Sequence, residues 1–464
     1  MQGARLVGGG IITVLTFFWR ELILFAGVGF LIGGCDELAI DMIWLARATW
    51  RWLFIYSRHT RATADSLGPP LHPGLITVFV AAWDEGDVIG AMLRHALATF
   101  DHPQYRIYLG CYPNDPATLA AASAIADPRL RIVIGVRDGP TTKADCLNTL
   151  WRALLADEAA DGVRAKAVVL HDAEDVVHAA ELRIFDTLTE RFALVQLPVT
   201  PLPNPHSRWI AGHYCDEFAE AHGKVLVVRE ALGAAIPAAG VGCAFSRDLI
   251  AQIAATKQGQ PFDAASLTED YELGLHVGNI GARGVLARLP SGTGLVQVTA
   301  HFPATLETAV RQKARWIVGI ALAGYDRLGW DGGLAERWMR LRDRRALVAA
   351  LLLCVGYLAI ILTSVLAASH LALGSAMPAL TPLLQWLVAL NAGLLFWRLL
   401  VRTFFVWRGY GWREGLMSIP RTIVANIVAM MAARRALLRY AQMRRTGVAV
   451  WEKTAHFFPV ELAK

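Results

Sequence analysis

Between residues 346 and 397 the chain contains no Asp, Glu, Lys or Arg. A run that long without formal charge cannot form the surface of a water-soluble domain. It is long enough for two membrane crossings, because ~20 apolar residues span a bilayer. We expect spans at about 346–369 and 383–397, the shorter one helped across by flanking aromatics and arginines. Arg337, Arg340, Arg342, Arg344 and Arg345 precede the run and Arg398 and Arg402 follow it, whereas the loop between the spans has no positive charge. The positive-inside rule then puts both flanks in the cytoplasm. Composition agrees, since a mean hydropathy of +0.39 is too high for a chain of soluble domains alone.

Near the N-terminus, residues 11–34 read as one spanning helix. Asp36, Glu37 and Asp41 follow at once, and residues 42–56, apolar and aromatic but carrying Arg47 and Arg51, read as a second span or an interfacial helix. Residues 416–432 are interrupted by Pro420 and Arg421, which predicts an interfacial or re-entrant helix with the arginines of 434–445 near anionic headgroups. The 6 cysteines lack CxxC spacing, which fits unpaired thiols in a reducing compartment. A net charge of +6 with arginines gathered late in the chain suits a membrane surface. No basic stripe carries interleaved stacking aromatics, so a nucleic-acid partner is not expected.

Residues 58–74 are polar, contain Pro69-Pro70 and read as a linker. From 75 to 340, short β-branched runs alternate with Ala/Leu-rich stretches, the texture of βα units on a mostly parallel sheet. Strands are expected at 75–81, 106–110, 131–136, 167–171 and 194–199. The first four end in chemistry: Asp84 and Glu85, then Asp115, then Lys143, then Asp172, Glu174 and Asp175. Carboxyl ends of parallel strands share one edge, so these groups can surround one ligand. Three crowded acids repel unless a cation sits among them, and Mg2+ or Mn2+ accepts carboxylate and diphosphate oxygens. Lys143 at a helix start suits a phosphate. Thr268-Glu269-Asp270 is a second acidic cluster, in which Thr268 can cap a helix and a carboxylate can act as general base. Gln312, Arg315 and Trp316 fall at i, i+3 and i+4, one helix face suited to a sugar ring and a diphosphate. Gly240-Val-Gly242 allows close approach of a substrate or forms a simple turn. His213, Cys215 and His222 on a helix over 209–222 match no tetrahedral metal pattern and read as an amphipathic face. Singly, the acids, Lys143 and the 312–316 face have bland readings as solvated turns, a surface charge, a helix cap and a membrane-surface helix; together they do not.

In this order the motifs resemble the membrane-bound glycosyltransferases of family 2: Asp172-Ala-Glu174-Asp175, Thr268-Glu269-Asp270 and Gln312-x-x-Arg315-Trp316. The likeness covers 75–316, adding Ala82-Trp-Asp-Glu85, Lys143-Ala-Asp-Cys-Leu-Asn148 and Pro303, with a tail motif at Trp451 to His456. It implies a glycosyltransferase-A-type, Rossmann-like α/β domain at 75–340 inserted between membrane helices at 1–57 and a hairpin at 341–400, with interfacial helices and a basic tail at 401–464. It also implies inverting transfer from a nucleotide-diphosphate sugar to a glycan or lipid-linked acceptor for polysaccharide synthesis. Asp84, Glu85 and Asp115 would contact the nucleoside, Lys143 and Asp172 the donor diphosphate, and Asp172, Glu174 and Asp175 a Mg2+ or Mn2+ cofactor. Asp270 with Glu269 would serve catalysis, and Gln312, Arg315 and Trp316 would bind acceptor and diphosphate. The implied setting is multi-pass in a bacterial inner membrane, with the catalytic domain cytoplasmic and an export partner in the periplasm or outer membrane. The family's aspartate pair after the second strand is replaced by Cys111-Tyr112-Pro113, so uracil recognition is not implied. That departure favours the alternative, a membrane scaffold or receptor component with a decayed site. The cyclic di-GMP-binding domain that some relatives add at the C-terminus is not expected.

Overall fold

The structure, a computed structural model, describes residues 2–292, 294–447 and 457–459. The tail motif at Trp451 to His456 lies outside them. One long helix, α1 (Gln2–Trp50), opens the chain and ends in a π-turn (Arg51–Ile55). There follow β1 (Leu75–Ala81), α2 (Ile89–Thr99), β2 (Tyr105–Cys111), α3 (Pro116–Ser123), β3 (Leu130–Ile134), α4 (Lys143–Asp161), β4 (Ala165–His171), α5 (Glu181–Leu188), β5 (Leu194–Gln196) and β6 (Val199–Pro201). The second half of the domain holds α6 (Ile210–Glu220), α7 (Leu226–Ala231), β7 (Cys243–Ser246), α8 (Arg247–Thr256), α9 (Glu269–Asn279) and β8 (Gly284–Leu286). A hairpin of β9 (Pro290–Ser291) and β10 (Gly294–Leu295), then β11 (Val298–Ala300) and α10 (Leu306–Ile317), complete it. Two shorter helices, α11 (Gly324–Leu328) and α12 (Leu334–Arg344), lead into α13 (Ala346–Ala372), α14 (Pro382–Tyr410) and α15 (Trp412–Thr446).

Seven strands form one sheet in the order β3-β2-β1-β4-β7-β5-β8. The first four are parallel, and β7 runs antiparallel to both its neighbours. Both faces are covered, which is why β1 and β4 read as near-continuous apolar runs. Ile76, Val78 and Val80 pack on Met92 and Leu93 of α2, while Phe79, Tyr108 and Val168 face Leu147 and Trp151 of α4. The strand expected over 194–199 is two strands. Pro198 cannot donate to a ladder, and the chain changes sheets there: β5 pairs with β7 and β8, β6 with β11. The expected linker is packed in part, with Ala64 buried and its N–H bonded to Pro290 O at 2.8 Å.

Among the described residues four helices are long and apolar enough to cross a membrane: Ile12–Ile55, Ala346–Ala372, Pro382–Tyr410 and Trp412–Thr446. The three acids after residue 34 do not break the first of them, because each has a partner. Asp36 and Glu37 bind Arg342 and Arg345, Glu37 also meets Arg398 at 3.3 Å, and Asp41 takes Lys224 at 2.6 Å and Trp397 Nε1 at 2.9 Å. With its charges answered, α1 stays helical through the whole stretch expected to hold two elements. For the same reason α14 runs past the expected end at 397 and across the boundary at 400, since Arg398 and Arg402 turn inward to Glu37 and Glu220. Pro420 does not interrupt α15. Arg421 is buried against Asp216 at 2.8 Å and Glu414 at 2.7 Å, and Val428, Ala432 and Ala436 pack on Tyr214, Ala309 and Ala314. A third of the apolar window of α15 is covered by protein, 33% against 11% in the other three helices. This helix therefore ties the bundle to the domain along α6 and α10.

Candidate active site

The loops after β1 and β2 are fastened to each other. Asp115 caps α3 by accepting from Thr118 N at 3.2 Å, and its other oxygen accepts from Asp84 N at 2.6 Å. Glu85 N donates to Thr118 Oγ1 at 2.9 Å. Asp84 has φ +54, a left-handed conformation that aspartate tolerates better than most residues. Asp115, expected at the nucleoside, thus also builds the turn that presents Asp84 and Glu85. Trp83 meets Tyr112 edge-on at 5.2 Å, and the Asn114 side chain bonds reciprocally to Gly139 N and O, both at 2.8 Å. The wall of this corner is therefore aromatic and braced to the loop after β3.

The turn after β4 divides its acids. Asp172 binds Lys143 at the first turn of α4. Glu174 is buried on the same turn. Asp175 points inward instead: its carboxylate accepts from Asp172 N at 3.0 Å and from His171 Nδ1 at 2.8 Å, and His171 Nε2 reaches Glu181 at 2.6 Å. Burial opposes a charge on His171, but Glu181 and Asp175 outweigh it and raise the pKa to about 10. Asp175 therefore shapes the loop through its bonds to Asp172 N and His171.

Glu269 and Asp270 open α9 on the other side of Lys143. Burial works against the Lys143 charge, and the carboxylates of Asp172, Glu269 and Asp270 outweigh it, holding the pKa above the usual lysine range. Burial and then Asp270 push Glu269 up to about 7, with Lys143 and Arg315 opposing. Asp270 is raised by burial as well, against Lys143. Thr268 is not the side-chain cap that the sequence suggests. Ser266 Oγ takes Thr268 N at 3.1 Å and donates to Glu272 at 2.6 Å, while Thr268 Oγ1 is buried with no hydrogen-bond partner among the described residues.

Gly240 explains the glycine-rich stretch. It has φ +78, and a Cβ there would collide with the Asp270 carboxylate. Its loop is stapled by Gln196, whose amide donates to Val241 O at 3.0 Å and Gly242 O at 3.2 Å and accepts from Ala239 N at 2.9 Å. Behind Asp270, Tyr271 donates to Asp343 at 2.8 Å, and Arg229 holds both oxygens of Asp343. Sequence reasoning missed Gln196, Tyr271 and Asp343. A lone amide at the end of an apolar strand was the one available signal, for Gln196.

On α10, Arg315 lies within the field of Glu269 and Asp270. Gln312 Oε1 and Arg315 Nε are buried with no hydrogen-bond partner among the described residues. Trp316 packs edge-on against Tyr214 at 6.1 Å and beside Phe218. The structure thus brings together Lys143, Asp172, Glu269, Asp270 and Arg315, with Glu174 on the Asp172 turn and Gln312 one helical turn from Arg315. Asp84, Glu85 and Asp115 form a separate corner.

Comparison with known proteins places this arrangement. Residues 72–319 match the family model described as Glycosyltransferase like family 2, which is more than half of the chain. Bacteriophage adsorption protein B of Escherichia coli (strain K12) is 35% identical over 452 residues, covering 92% of this chain and 60% of that protein. Bacteriophage N4 adsorption protein B of Escherichia coli O157:H7 gives the same figures. The chain therefore spans about 60% of the length of these curated relatives. Among solved structures, a mannosyltransferase from Pyrobaculum calidifontis, in complex with GDP-Man and Mn2+, superposes with a TM-score of 0.53. The two share 16% identity, over 91% of this chain and 99% of that one, a likeness of fold. With the family match over the sheet and both acidic clusters, the chain belongs to glycosyltransferase family 2.

Proposed function

We propose that this protein transfers a sugar, with inversion, from a nucleotide-diphosphate sugar to a hydroxyl of a glycan or lipid-linked acceptor at a membrane. One observation carries the reading: the half-buried Lys143 binds Asp172 and shares the field of Glu269 and Asp270, from a sequence-distant cluster, at one edge of the sheet. Lys143, at a helix N-terminus, binds the donor diphosphate, and Glu85 and Asp115 hold the nucleoside end. Asp270, half-buried and raised in pKa by desolvation, takes the proton of the acceptor hydroxyl. Lys143 and, less strongly, Arg315 favour the ionised form of that carboxylate, and Arg315 with Gln312 faces the diphosphate and acceptor sugar. Removing the hydroxyl proton at Asp270 Oδ makes the acceptor oxygen a nucleophile, while positive charge from Lys143 and Arg315 stands where the leaving diphosphate gains charge.

Among the described residues no three His, Cys, Asp or Glu side chains cluster as a closed metal site. The donor chemistry fits a hard divalent cation held by Asp172 and Glu174 and completed by diphosphate oxygens. Mg2+ or Mn2+ so held would neutralise charge on the leaving diphosphate. Polysaccharide synthesis at a bacterial inner membrane, with the domain on the cytoplasmic face and an export partner beyond, is the setting this reading favours.

The test uses membranes containing the full chain, Mg2+ or Mn2+, acceptor-containing extract and a panel of nucleotide sugars. Nucleoside diphosphate release from one donor that disappears in Asp270→Asn supports transfer and identifies the sugar. Folded protein that releases none from any donor points to the scaffold reading instead.

A further inference from the structure

Helix α10 does not stop after Ile317. It widens into a π-turn (Val318–Ala323) that runs on into α11. Turns of this kind are rare and gather at functional sites. Gly319, four residues past Arg315, meets the start of α9: a Cβ at 319 would collide with Thr268 Oγ1 and Cγ2. Thr268 is 5% exposed, and its hydroxyl is buried with no hydrogen-bond partner among the described residues. Contact with bare backbone therefore seats this side chain, where a hydrogen bond does not. Thr268 is also the residue on which α9 is founded. Its carbonyl accepts from Glu272 N at 3.2 Å, and Glu269 and Asp270 follow it directly.

Two further contacts join the same pair of segments. Ile320, next to Gly319, packs in an apolar cluster with Tyr271 and Leu275 of α9 and Leu328 of α11. Arg327 Nε lies 3.0 Å from each oxygen of Glu272, a charge-assisted contact to the carboxylate that also takes Ser266 Oγ. Val318 and Ala323, in the same π-turn, pack with Val428, Ala432 and Ala436 of α15. The π-turn thus connects the helix that ties the domain to the membrane bundle with the helix that carries Asp270.

From this geometry we infer that Gly319 is a positioning residue for Asp270. Acting through Thr268, it sets the first turn of α9 against the helix that carries Gln312 and Arg315, and Arg327 holds that turn through Glu272. A side chain at 319 would drive Thr268 back and carry Asp270, two residues on, with it. Lys143 and the corner at Asp84, Glu85 and Asp115 belong to other loops, so turnover and donor binding should separate. The effect on turnover rests on the transfer reading above; the placement of the turn does not.

The test uses the full chain in detergent and two readouts: deuterium uptake by the peptide spanning 266–275, which needs no activity, and nucleoside diphosphate release with the donor panel. Gly319→Ala should speed exchange in the first turn of α9 about 10-fold. It should lower turnover about 10- to 100-fold, with the donor concentration for half-maximal rate changed by less than about 2-fold. Adding Thr268→Ala removes the two atoms in the way and should bring both readouts back to within about 3-fold of the wild type, a rescue that general loss of stability would not give. Arg327→Lys crowds nothing, keeps the charge and loses the fork; it should lower turnover about 5-fold at unchanged donor half-saturation. Gly223→Ala is the control. It adds a Cβ 2.8 Å from Phe405 in another π-turn (Ala221–Val225) and should move neither readout by more than about 2-fold. Unchanged exchange at α9 in Gly319→Ala overturns the inference, as does faster exchange with turnover at the wild-type rate. So does a Gly223→Ala effect of the same size, or a Gly319→Ala loss that Thr268→Ala leaves in place. If the wild type releases nucleoside diphosphate from no donor, the transfer reading falls and the exchange arm alone decides the placement.

Discussion

Replacing Gly240 by alanine tests whether Asp270 is the working carboxylate. The backbone there has φ +78, a conformation that costs an L-residue roughly 1–2 kcal/mol. The new Cβ would also stand 3.1 Å from Asp270 Cγ, where carbon atoms settle at about 3.5–4.0 Å. The carboxyl must then recede by roughly half an ångström or more. A misplacement of about 1 Å can cost ~100-fold in rate, so Gly240→Ala should lower turnover between about 10-fold and 100-fold. The strain takes only about 1–2 kcal/mol from stability, so the protein should still fold. The assay is nucleoside diphosphate release at saturating donor, with a thermal midpoint measured on the same preparation. A variant that folds and turns over at the wild-type rate would refute the placement of Asp270 beside the reacting hydroxyl.

Lys143→Met leaves Asp172, Glu269 and Asp270 without their shared cation and should cut turnover about 100- to 1,000-fold, read as product release; a change confined to acceptor KM would contradict its diphosphate role. Glu269 has its pKa raised to about 7 from 4.5, so its contribution to stability is intact below pH 4.5 and lost as pH rises through 7, about 3 kcal/mol in all. Glu269→Gln should therefore gain thermal stability over the wild type at pH 8 and not at pH 4.5, as melting curves at the two pH values would show. His171→Leu strands Asp175 and Glu181 as unpaired buried acids at a cost of about 3–5 kcal/mol; the expected outcome is loss of monodisperse protein on size exclusion, largely relieved by adding Asp175→Asn and Glu181→Gln.

Local patterns carried the parallel half of the sheet. The β1 and β4 runs are apolar because both faces are covered, and strand ends with chemistry in the loops mark one edge whatever the details. What the sequence hid depends on partners far away. Asp36, Glu37 and Asp41 read as the end of a membrane helix because Arg342, Arg345, Arg398 and Lys224 cannot be matched to them by inspection. Asp175 and Glu174 are equivalent in a motif; only the burial of His171 between Asp175 and Glu181 separates them. Gln196 is one amide at the end of a strand until the 239–242 loop folds over it. The Thr268 cap was a sound local inference, displaced by the Ser266–Glu272 bond.

The ion pairs between α1 and the later helices also set an order of events during synthesis. Asp36 waits for Arg342, 306 residues downstream, which at roughly 5–20 residues per second means roughly 15–60 s. Throughout that interval Asp36 and Glu37 lack the arginines that answer them, and Asp41 gains Lys224 only 183 residues downstream. That end must stay in water or headgroups while the sheet domain is made beside it. The α1 to α12 and α14 contacts are thus among the last to close, and only then does the domain acquire a fixed orientation on its helices.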